Sequence, residues 1–249
     1  MGKKKRLDTM LVERQLVKNI DEARQLIFSG VIRVNGILRE KAESQHEEHV
    51  KISLHKIKRF VSRGGEKLAP VLERFAIDPA GKVCLDIGSS TGGFTDCLLQ
   101  NNAKRVYCVD VGYGILDWKL RQDKRVIVLE RTNARFLTTK EIPECVDFCV
   151  IDASFISLNV LLEPLIQFFD TTAMILALIK PQFQLPQKKI TAGGVIIDQE
   201  LHAEAIEMVE KHAATLGLHS QGVIASPIRG AKGNQEFFIL LTGQSSDLH

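Results

Sequence analysis

The pattern of apolar positions changes character at residue 83. From Val83 onward, continuous apolar runs alternate with segments whose apolar residues recur at helical spacing. The runs predicted as strands are Val83–Ile87, Val106–Val111, Val126–Leu129, Val146–Ile151, Ala173–Ile179, His219–Ala225 and Glu236–Leu241. The segments predicted as helices are Gly93–Gln100, Leu158–Phe169 and Gln199–Leu216. Because strands that are apolar along their whole length are buried on both faces, this alternation predicts an α/β fold with a mostly parallel sheet and helices on both faces.

The N-terminal part of the chain has shorter elements. Apolar residues at helical spacing predict helices over Leu7–Leu16 and Ile20–Phe28. Asn35-Gly36 stands between two apolar runs and is the strongest short-range signal for a β-hairpin. A further short strand is predicted over Val50–Leu54. These elements together predict a small α+β unit.

The domain organisation follows from these patterns and from charge. We expect a small domain over residues 1–58, a linker over residues 59–66 that ends a basic, glycine-containing stretch, and a large domain over residues 67–249. Residues 1–60 hold 14 Lys and Arg against 8 Asp and Glu, whereas the rest of the chain holds 19 against 22. A basic segment on a slightly acidic body indicates a polyanionic partner, namely RNA, DNA or a membrane surface. A merely solubilising surface is the alternative that charge alone leaves open.

A glycine-rich turn follows the first strand of the large domain. Gly88, Gly92 and Gly93 allow the backbone to approach a ligand closely, at the sheet edge where open α/β sheets bind ligands. Ser90 stands where the dinucleotide fingerprint has its second glycine, so a pyrophosphate would fit poorly. Asp110 ends the next strand and could accept hydrogen bonds from both ribose hydroxyls. The pair predicts a nucleoside cofactor, with a tight turn and a capping aspartate as the structural alternative.

The sequence gives little support for metal binding or for a membrane function. None of the five cysteines forms a C-x-x-C pair, and no His/Cys cluster has metal-ligand spacing, so we expect no metal. The N-terminal Met-Gly-Lys-Lys-Lys-Arg leads into no apolar segment of a signal peptide. Ala173–Ile179, the longest uncharged apolar stretch, is too short to span a bilayer. We therefore expect a soluble cytoplasmic protein.

Five motifs follow one another along the large domain and its N-terminal approach. They are Val61–Leu68 (VSRGGEKL), Asp86–Thr95 (DIGSSTGGFT), Asp110–Gly114 (DVGYG), Asp152–Leu158 (DASFISL) and Leu178–Phe183 (LIKPQF). Together they closely resemble the TlyA family of ribosomal RNA methyltransferases, which are often labelled haemolysins. The resemblance runs over nearly the whole chain. It implies a Rossmann-like, FtsJ-type methyltransferase domain preceded by an alpha-L RNA-binding domain similar to a small-subunit ribosomal protein.

The resemblance also implies an activity and a catalytic set. The activity is 2′-O-methylation of ribose, with S-adenosylmethionine as cofactor and ribosomal RNA or ribosomal subunits as partner. The family's Lys-Asp-Lys-Glu set matches Lys67, Asp152, Lys180 and Glu236. Lys180 is then the expected general base, and Asp152 and Glu236 are expected to orient its side chain and balance its charge. Lys67 is expected to hold the hydroxyl or a nearby phosphate.

Contacts with the cofactor and RNA are expected at two further sets of residues. The expected cofactor contacts are Asp86, Gly88, Ser89, Thr91, Gly92, Gly93, Phe94, Asp110 and Asn133, of which Asn133 resembles the position that contacts adenine. The expected RNA contacts are Arg14, Arg24, Arg33, Arg39 and Arg63. The N-terminal module has only two aromatic residues, Phe28 and Phe60, and so lacks a platform for stacking bases. Its cations should contact phosphates and recognise folded RNA by shape.

Two positions depart from the family pattern. Gln184 stands where the family usually has Glu, and Ala192 stands where it usually has Lys. Neither belongs to the catalytic set, so the departures concern loop contacts. Two alternative functions remain: a membrane-damaging haemolysin, suggested by the family label, and a ribosome-binding protein that keeps the cofactor fold without catalysis. The intact set of Lys67, Asp152, Lys180 and Glu236 argues against the second.

Overall fold

The computed structural model describes residues 4–54, 59–190 and 193–244. It divides into two compact units, with the boundary between Arg59 and Phe60. Ala192, one of the two departures from the family pattern, lies outside the described residues.

The first unit contains two helices and five short strands within residues 4–54. They are β1 (Lys4–Arg6), α1 (Leu7–Glu13), α2 (Ile20–Phe28), β2 (Ile32–Val34), β3 (Ile37–Leu38), β4 (Gln45–Glu47) and β5 (Ile52–Leu54). β2 lies between β3 and β5 in an antiparallel sheet, and β1 pairs with β4 in a separate antiparallel ribbon. The predicted hairpin is present, because Asn35 and Gly36 both adopt the positive φ that a two-residue turn of this kind requires.

Helix α1 is shorter than its apolar pattern predicts. It ends at Glu13, and Gln15 adopts a left-handed φ of 57°. Leu16, expected to be helical, is instead 39% exposed. Helix α2 has the predicted bounds, and the Asn19 side chain caps it by accepting a hydrogen bond from the Glu22 amide at 2.9 Å. The β1–β4 ribbon was not predicted, since its strands carry no apolar alternation.

The second unit contains seven strands and six helices among the described residues. They are α3 (Arg63–Arg74), β6 (Val83–Ile87), α4 (Gly93–Gln100), β7 (Arg105–Val109), α5 (Trp118–Arg121), β8 (Val126–Leu129), β9 (Phe148–Ile151), α6 (Leu158–Ile166), β10 (Thr172–Ile179), α7 (Pro181–Gln184), α8 (Gln199–Thr215), β11 (His219–Ala225) and β12 (Phe237–Gln244). Short 3-10 helices lie at Ala134–Phe136, Gln187–Lys189 and Ala231–Gly233.

One seven-stranded sheet organises this unit. Its strand order is β11-β12-β10-β9-β6-β7-β8, and β12 runs antiparallel to both of its neighbours while the other pairs are parallel. Helices α6 and α8 cover one face, where Leu85 and Ile239 are buried. Helices α3 and α4 cover the other face, where Cys84 and Phe238 are buried. The predicted mostly parallel sheet with helices on both faces is thus confirmed.

The linker predicted over residues 59–66 is wrong. Phe60 is 3% exposed and packs in the core beneath α3 and α4, and α3 begins at Arg63 after a Ser62 cap. A Cβ added to Gly65 would lie 2.5 Å from the Phe60 Cβ, and one added to Gly64 would lie 3.3 Å from the Gly93 Cα. Gly64 therefore permits close packing of α3 against α4, and Gly65 leaves room for the Phe60 side chain. Residues 60–66 belong to the second unit, because glycines that look flexible in sequence are here required by contact.

Candidate active site

A cavity of about 340 Å³ lies at the carboxyl end of the parallel strands. The segments that follow β6, β7, β8 and β9 surround it, as expected for an open α/β sheet. Its lining residues are Ile87, Gly88, Ser90, Val109, Asp110, Val111, Thr132, Asn133, Ala134, Asp152, Ala153, Ser154, Phe155, Ile156 and Leu161. The cavity has the size and the mostly apolar lining of a small-ligand site.

Gly88 and Asp110 shape the cavity wall. Gly88 has a φ of 80°, and a Cβ there would lie 2.8 Å from the carbonyl oxygen of Asp152, so only glycine fits. The Asp110 carboxylate accepts hydrogen bonds from the Ser90 amide at 2.8 Å and the Gly112 amide at 2.7 Å. These two bonds fix its orientation beside the cavity. Since each carboxylate oxygen has further acceptor capacity, Asp110 can also bind the two hydroxyls of a ribose.

Three of the nine expected cofactor contacts line the cavity: Gly88, Asp110 and Asn133. The Asn133 side chain also caps the following 3-10 helix by accepting from the Arg135 amide at 3.1 Å. The six that do not line it are Asp86, Ser89, Thr91, Gly92, Gly93 and Phe94. Most of the expected contacts in the glycine-rich motif therefore lie outside the cavity lining.

The reason differs among these six residues. Phe94 is buried and packs against Phe238, with ring centroids 6.0 Å apart. A Cβ on Gly93 would lie 2.9 Å from the Gly64 Cα, so this glycine serves the packing of α3 on α4. Gly92 has a φ of 92° and lies against the side chain of Leu120. Ser89 is 6% exposed, whereas Thr91 is exposed and does not line the cavity.

Asp86 is fully buried instead of facing the cavity. Its Oδ2 accepts a hydrogen bond from Thr95 Oγ1 at 2.6 Å, and its Oδ1 has no hydrogen-bond partner among the described residues. The pKa of this carboxyl is raised to about 7, mainly by burial and also by the nearby charges of Asp152 and Asp110, against the lowering effect of the Thr95 hydrogen bonds. Three carboxyl groups therefore end adjacent strands at this edge, an arrangement that suits a cationic ligand better than an anionic one.

Sequence reasoning missed much of the cavity wall. The run Ala153–Ile156 follows β9 and lines the cavity throughout. Phe155 has a left-handed φ of 64°, is 90% exposed and packs against Phe183 at 5.0 Å between ring centroids. The available signal was position, because segments that follow parallel strands surround the ligand site.

Lys180 and Asp152 form an ion pair at the cavity. The Lys180 side chain is buried, and its Nζ lies 2.6 Å from Asp152 Oδ1, at angles outside hydrogen-bond geometry. Nζ also donates to Ser154 Oγ at 2.8 Å and to the Asp152 carbonyl oxygen at 3.3 Å. Asp152 and Ser154 both line the cavity, so the lysine nitrogen is held next to it. Ser154 was not predicted.

Lys67 and Glu236 form a second ion pair. Lys67 Nζ, on α3, donates to Glu236 Oε2 at 2.7 Å, and Glu236 is 2% exposed. Phe237 of β12 pairs with Ile179 of β10, so Glu236 and Lys180 directly adjoin the ends of two paired antiparallel strands. The four residues of the expected catalytic set thus come together as two ion pairs at one edge of the sheet.

The five expected RNA-binding arginines differ in their hydrogen-bond and ion-pair partners. Arg14 donates to two backbone carbonyl oxygens at 2.7 and 2.5 Å, and Arg33 donates to one at 3.0 Å. Arg24 lies 3.5 Å from the buried carboxylate of Asp8, while the buried Nε of Arg39 has no hydrogen-bond partner among the described residues. Arg63, in the second unit, donates to the carbonyl oxygen of Arg229 at 3.1 Å. Each arginine is exposed or half-buried.

Gln184, the departure from the family pattern that the structure describes, has a structural contact. Its Oε1 accepts hydrogen bonds from Ser157 Oγ at 2.9 Å and from the Leu158 amide at 3.0 Å. It therefore fastens α7 to the beginning of α6.

Within residues 4–54, 59–190 and 193–244, no group of three or more His, Cys, Asp or Glu could hold a metal ion. Among the same residues, none of the helices has the length and apolar character needed to cross a membrane.

Comparisons with known proteins agree with this geometry. The model of FtsJ-like methyltransferases matches residues 60–242, and the model of the S4 domain matches residues 5–45. A Mycobacterium tuberculosis protein named 16S/23S rRNA (cytidine-2'-O)-methyltransferase TlyA is 43% identical over 98% of this chain and 92% of its own length. Hemolysin A of Brachyspira hyodysenteriae is 35% identical over 93% of this chain and 97% of its own.

A solved structure described as a proposed hemolysin from Streptococcus thermophilus has a TM-score of 0.73 and 36% identity, and the match covers 98% of this chain and 90% of that one. The family models and the full-length relatives thus join the same two parts that the structure separates. This chain belongs to the TlyA family of FtsJ-like methyltransferases, whose methyltransferase domain follows an S4 domain.

Proposed function

We propose that this protein transfers a methyl group from S-adenosylmethionine to a ribose 2′-hydroxyl of ribosomal RNA. The observation that carries the proposal is the pair of Lys–acid ion pairs, Lys180–Asp152 and Lys67–Glu236, at one sheet edge beside a cavity of nucleoside size. The full-length relative from Mycobacterium tuberculosis, which is named for this reaction, supports the same function.

The described residues fit S-adenosylmethionine. Asp110 would accept the ribose hydroxyls, Asn133 would contact the adenine, and Ile87, Ala134 and Leu161 offer an apolar lining. The sulfonium cation supplies an activated methyl group when bound. The carboxyl groups that end the neighbouring strands favour this cation electrostatically and disfavour the pyrophosphate of a dinucleotide.

The ribose hydroxyl must lose its proton as it attacks the methyl group. In this proposal Lys180 Nζ, which Asp152 and Ser154 hold beside the cavity, accepts the proton of the hydroxyl. A lysine that serves as a base must first give up one of its own protons, and Asp152 is the acid–base group nearest to it. Lys67 would remain an ammonium, held by Glu236, and would stabilise the developing negative charge on the ribose oxygen.

The first unit supplies the RNA contact in this proposal. Its basic character and its S4 domain favour phosphate contacts on folded RNA. We place the reaction in the cytoplasm, on ribosomal RNA or a ribosomal subunit. A membrane-damaging function is suggested only by the names of some relatives, and no described residue supports it.

The test is methyl transfer from labelled S-adenosylmethionine to ribosomal subunits, followed by mass-spectrometric mapping of 2′-O-methyl groups. Wild-type protein should methylate a ribose, and Lys180→Ala should not. Lys189→Ala is the matched control, because Lys189 also forms a 2.6 Å ion pair, with Glu204, on the surface away from the cavity. Methylation of a base instead of a ribose, or no methylation by the wild type, would refute the proposal.

A further inference from the structure

A second cavity lies at the same edge of the sheet, beyond the ion pairs. Its volume is about 530 Å³, and it lies between the first turns of α8, the end of β11 and the start of β12. Gln235 and Phe237 line it, and they are the chain neighbours of Glu236 on either side. Consecutive Cα atoms are about 3.8 Å apart, so Glu236 lies within one residue of the cavity wall, while its side chain meets Lys67 on the α3 side of the sheet.

Hydrogen bonds hold the wall of this cavity in place. Asn234 is 3% exposed, and its side chain accepts a hydrogen bond from the Ile196 amide at 2.9 Å and donates one to the Gly194 carbonyl oxygen at 2.9 Å. The carbonyl oxygen of Ile196 is also 3.0 Å from His202 Nε2. The segment 194–196 is therefore fastened both to the strand side and to α8, and the cavity is formed before any ligand binds.

The lining combines apolar surfaces with polar groups held in place. Ile197 is 83% exposed, and Phe237 packs edge-on against the His202 ring at 5.2 Å. Because the Ile196 carbonyl can only accept, His202 Nε2 is the donor in this hydrogen bond. The Gln235 amide nitrogen donates to two backbone carbonyl oxygens, at 3.2 and 2.9 Å, which fixes the plane of the amide.

The charge of the lining favours an anionic polymer. Among the described residues that line the cavity, Arg229 is a cation and none is a carboxylate. The carbonyl oxygen of Arg229 accepts from the guanidinium of Arg63, which brings a second cation close to the rim. A nucleobase has two apolar faces and a polar edge, and it brings a phosphate with it, so it matches this lining in shape, polarity and charge.

We propose that this second cavity receives the base of a nucleotide that flanks the target nucleotide in the RNA substrate. The inference rests on the proposed function, since it takes RNA as the substrate. A flanking base seated beside Glu236 would fix the register of the strand and present one ribose to the Lys180–Asp152 pair. The cavity would thus contribute to the choice of the nucleotide that is methylated.

The first experiment fills the cavity. Ala203 lies on the exposed side of α8 and lines the cavity, whereas Ala214 is exposed on the same helix outside it. Single-turnover methyl transfer is measured at saturating S-adenosylmethionine and increasing ribosomal RNA. Ala203→Trp should raise the RNA concentration for half-maximal rate about tenfold and leave cofactor affinity within twofold, while Ala214→Trp should match the wild type. Equal behaviour of the two variants would overturn the inference.

The second experiment uses the wild-type protein, so it does not depend on the folding of a variant. Adenosine, cytidine, guanosine and uridine 5′-monophosphates are titrated separately while backbone amide resonances are followed by NMR. Saturable shifts at Ala203, Ile206 and Gln235 with at least one nucleotide support the base site, and their absence with all four refutes it. If the wild type methylates no RNA, the proposed function fails, and these titrations still decide whether the cavity binds a nucleotide.

Discussion

Gly230→Ala should disable methyl transfer although it replaces no ionisable side chain. A Cβ at this position would lie 3.0 Å from Glu236 Oε2 and closer still to Oε1. An ordinary contact between carbon and oxygen is about 3.3 Å or longer, so Oε1, the nearer of the two oxygens, must move by more than about 1 Å. That movement breaks the 2.7 Å ion pair with Lys67, which is nearly buried on both sides.

The expected loss follows from the cost of misplacing a group at the reacting centre. A displacement of about 1 Å costs about a hundredfold in rate, which corresponds to about 2.7 kcal/mol of activation free energy. Single-turnover methyl transfer at saturating RNA and cofactor measures this loss. The affinity for S-adenosylmethionine, measured by calorimetry, should stay within twofold, because Gly230 does not line the cofactor cavity.

Two comparisons isolate the cause. Gly193→Ala is the matched control, because a Cβ there meets nothing within 4 Å and the residue has no positive φ. In a Glu236→Ala background, Gly230→Ala should cost little more, since the group with which it clashes is gone. A Gly230→Ala rate within threefold of wild type, or an undiminished loss in the Glu236→Ala background, would refute the reasoning.

Four further outcomes are expected. Lys180→Ala should lower the single-turnover rate at least a hundredfold with little change in cofactor or RNA affinity, and Lys180→Arg should not restore it, because a guanidinium cannot act as a base near neutral pH; a near-normal rate in either variant would transfer the role to Lys67. Asp110→Ala should weaken S-adenosylmethionine binding by about 1–3 kcal/mol in calorimetry, and preferential binding of a nicotinamide dinucleotide would contradict the cofactor assignment. The affinity for ribosomal RNA should fall steeply with salt, with a log–log slope of several units, whereas a flat dependence would remove the electrostatic role of the first unit. The raised pKa of Asp86, about 7, stabilises the folded state fully below pH 4, and this stabilisation is lost as the pH rises through 7. In denaturant titrations, the free energy of unfolding of the wild type relative to Asp86→Asn should therefore decrease over this range by at most about 4 kcal/mol. A difference that does not vary with pH would show that Asp86 is not buried as described.

The elements of the fold were largely predictable because the signals that specify them are local. A strand buried on both faces must be apolar along its length, so the fully buried β6 has the bounds predicted from sequence. The bounds of β8 and β11 were also predicted, although most residues of β11 are exposed. Helix α2 and the Asn35-Gly36 hairpin follow from cap and turn residues that act within a few positions. The second unit's last strand was also predicted, but not its antiparallel direction, since no local signal records the neighbour of a strand.

The site depended more on tertiary structure. The family resemblance named Lys67 and Glu236, but they are 169 residues apart, and only the packing of α3 beside β12 brings them into contact. The sequence placed Asp86 and Phe94 in the glycine-rich motif without showing which way their side chains point. A strand or first helical turn that is apolar on every side shows no alternation of apolar and polar positions. Its sequence therefore cannot tell which residues face a cavity and which face the core. The fold decided this: Asp86 bonds to Thr95 of α4, Gly93 packs against α3, and Phe94 packs against Phe238 of β12. Gly88 and Asp110 line the cavity instead.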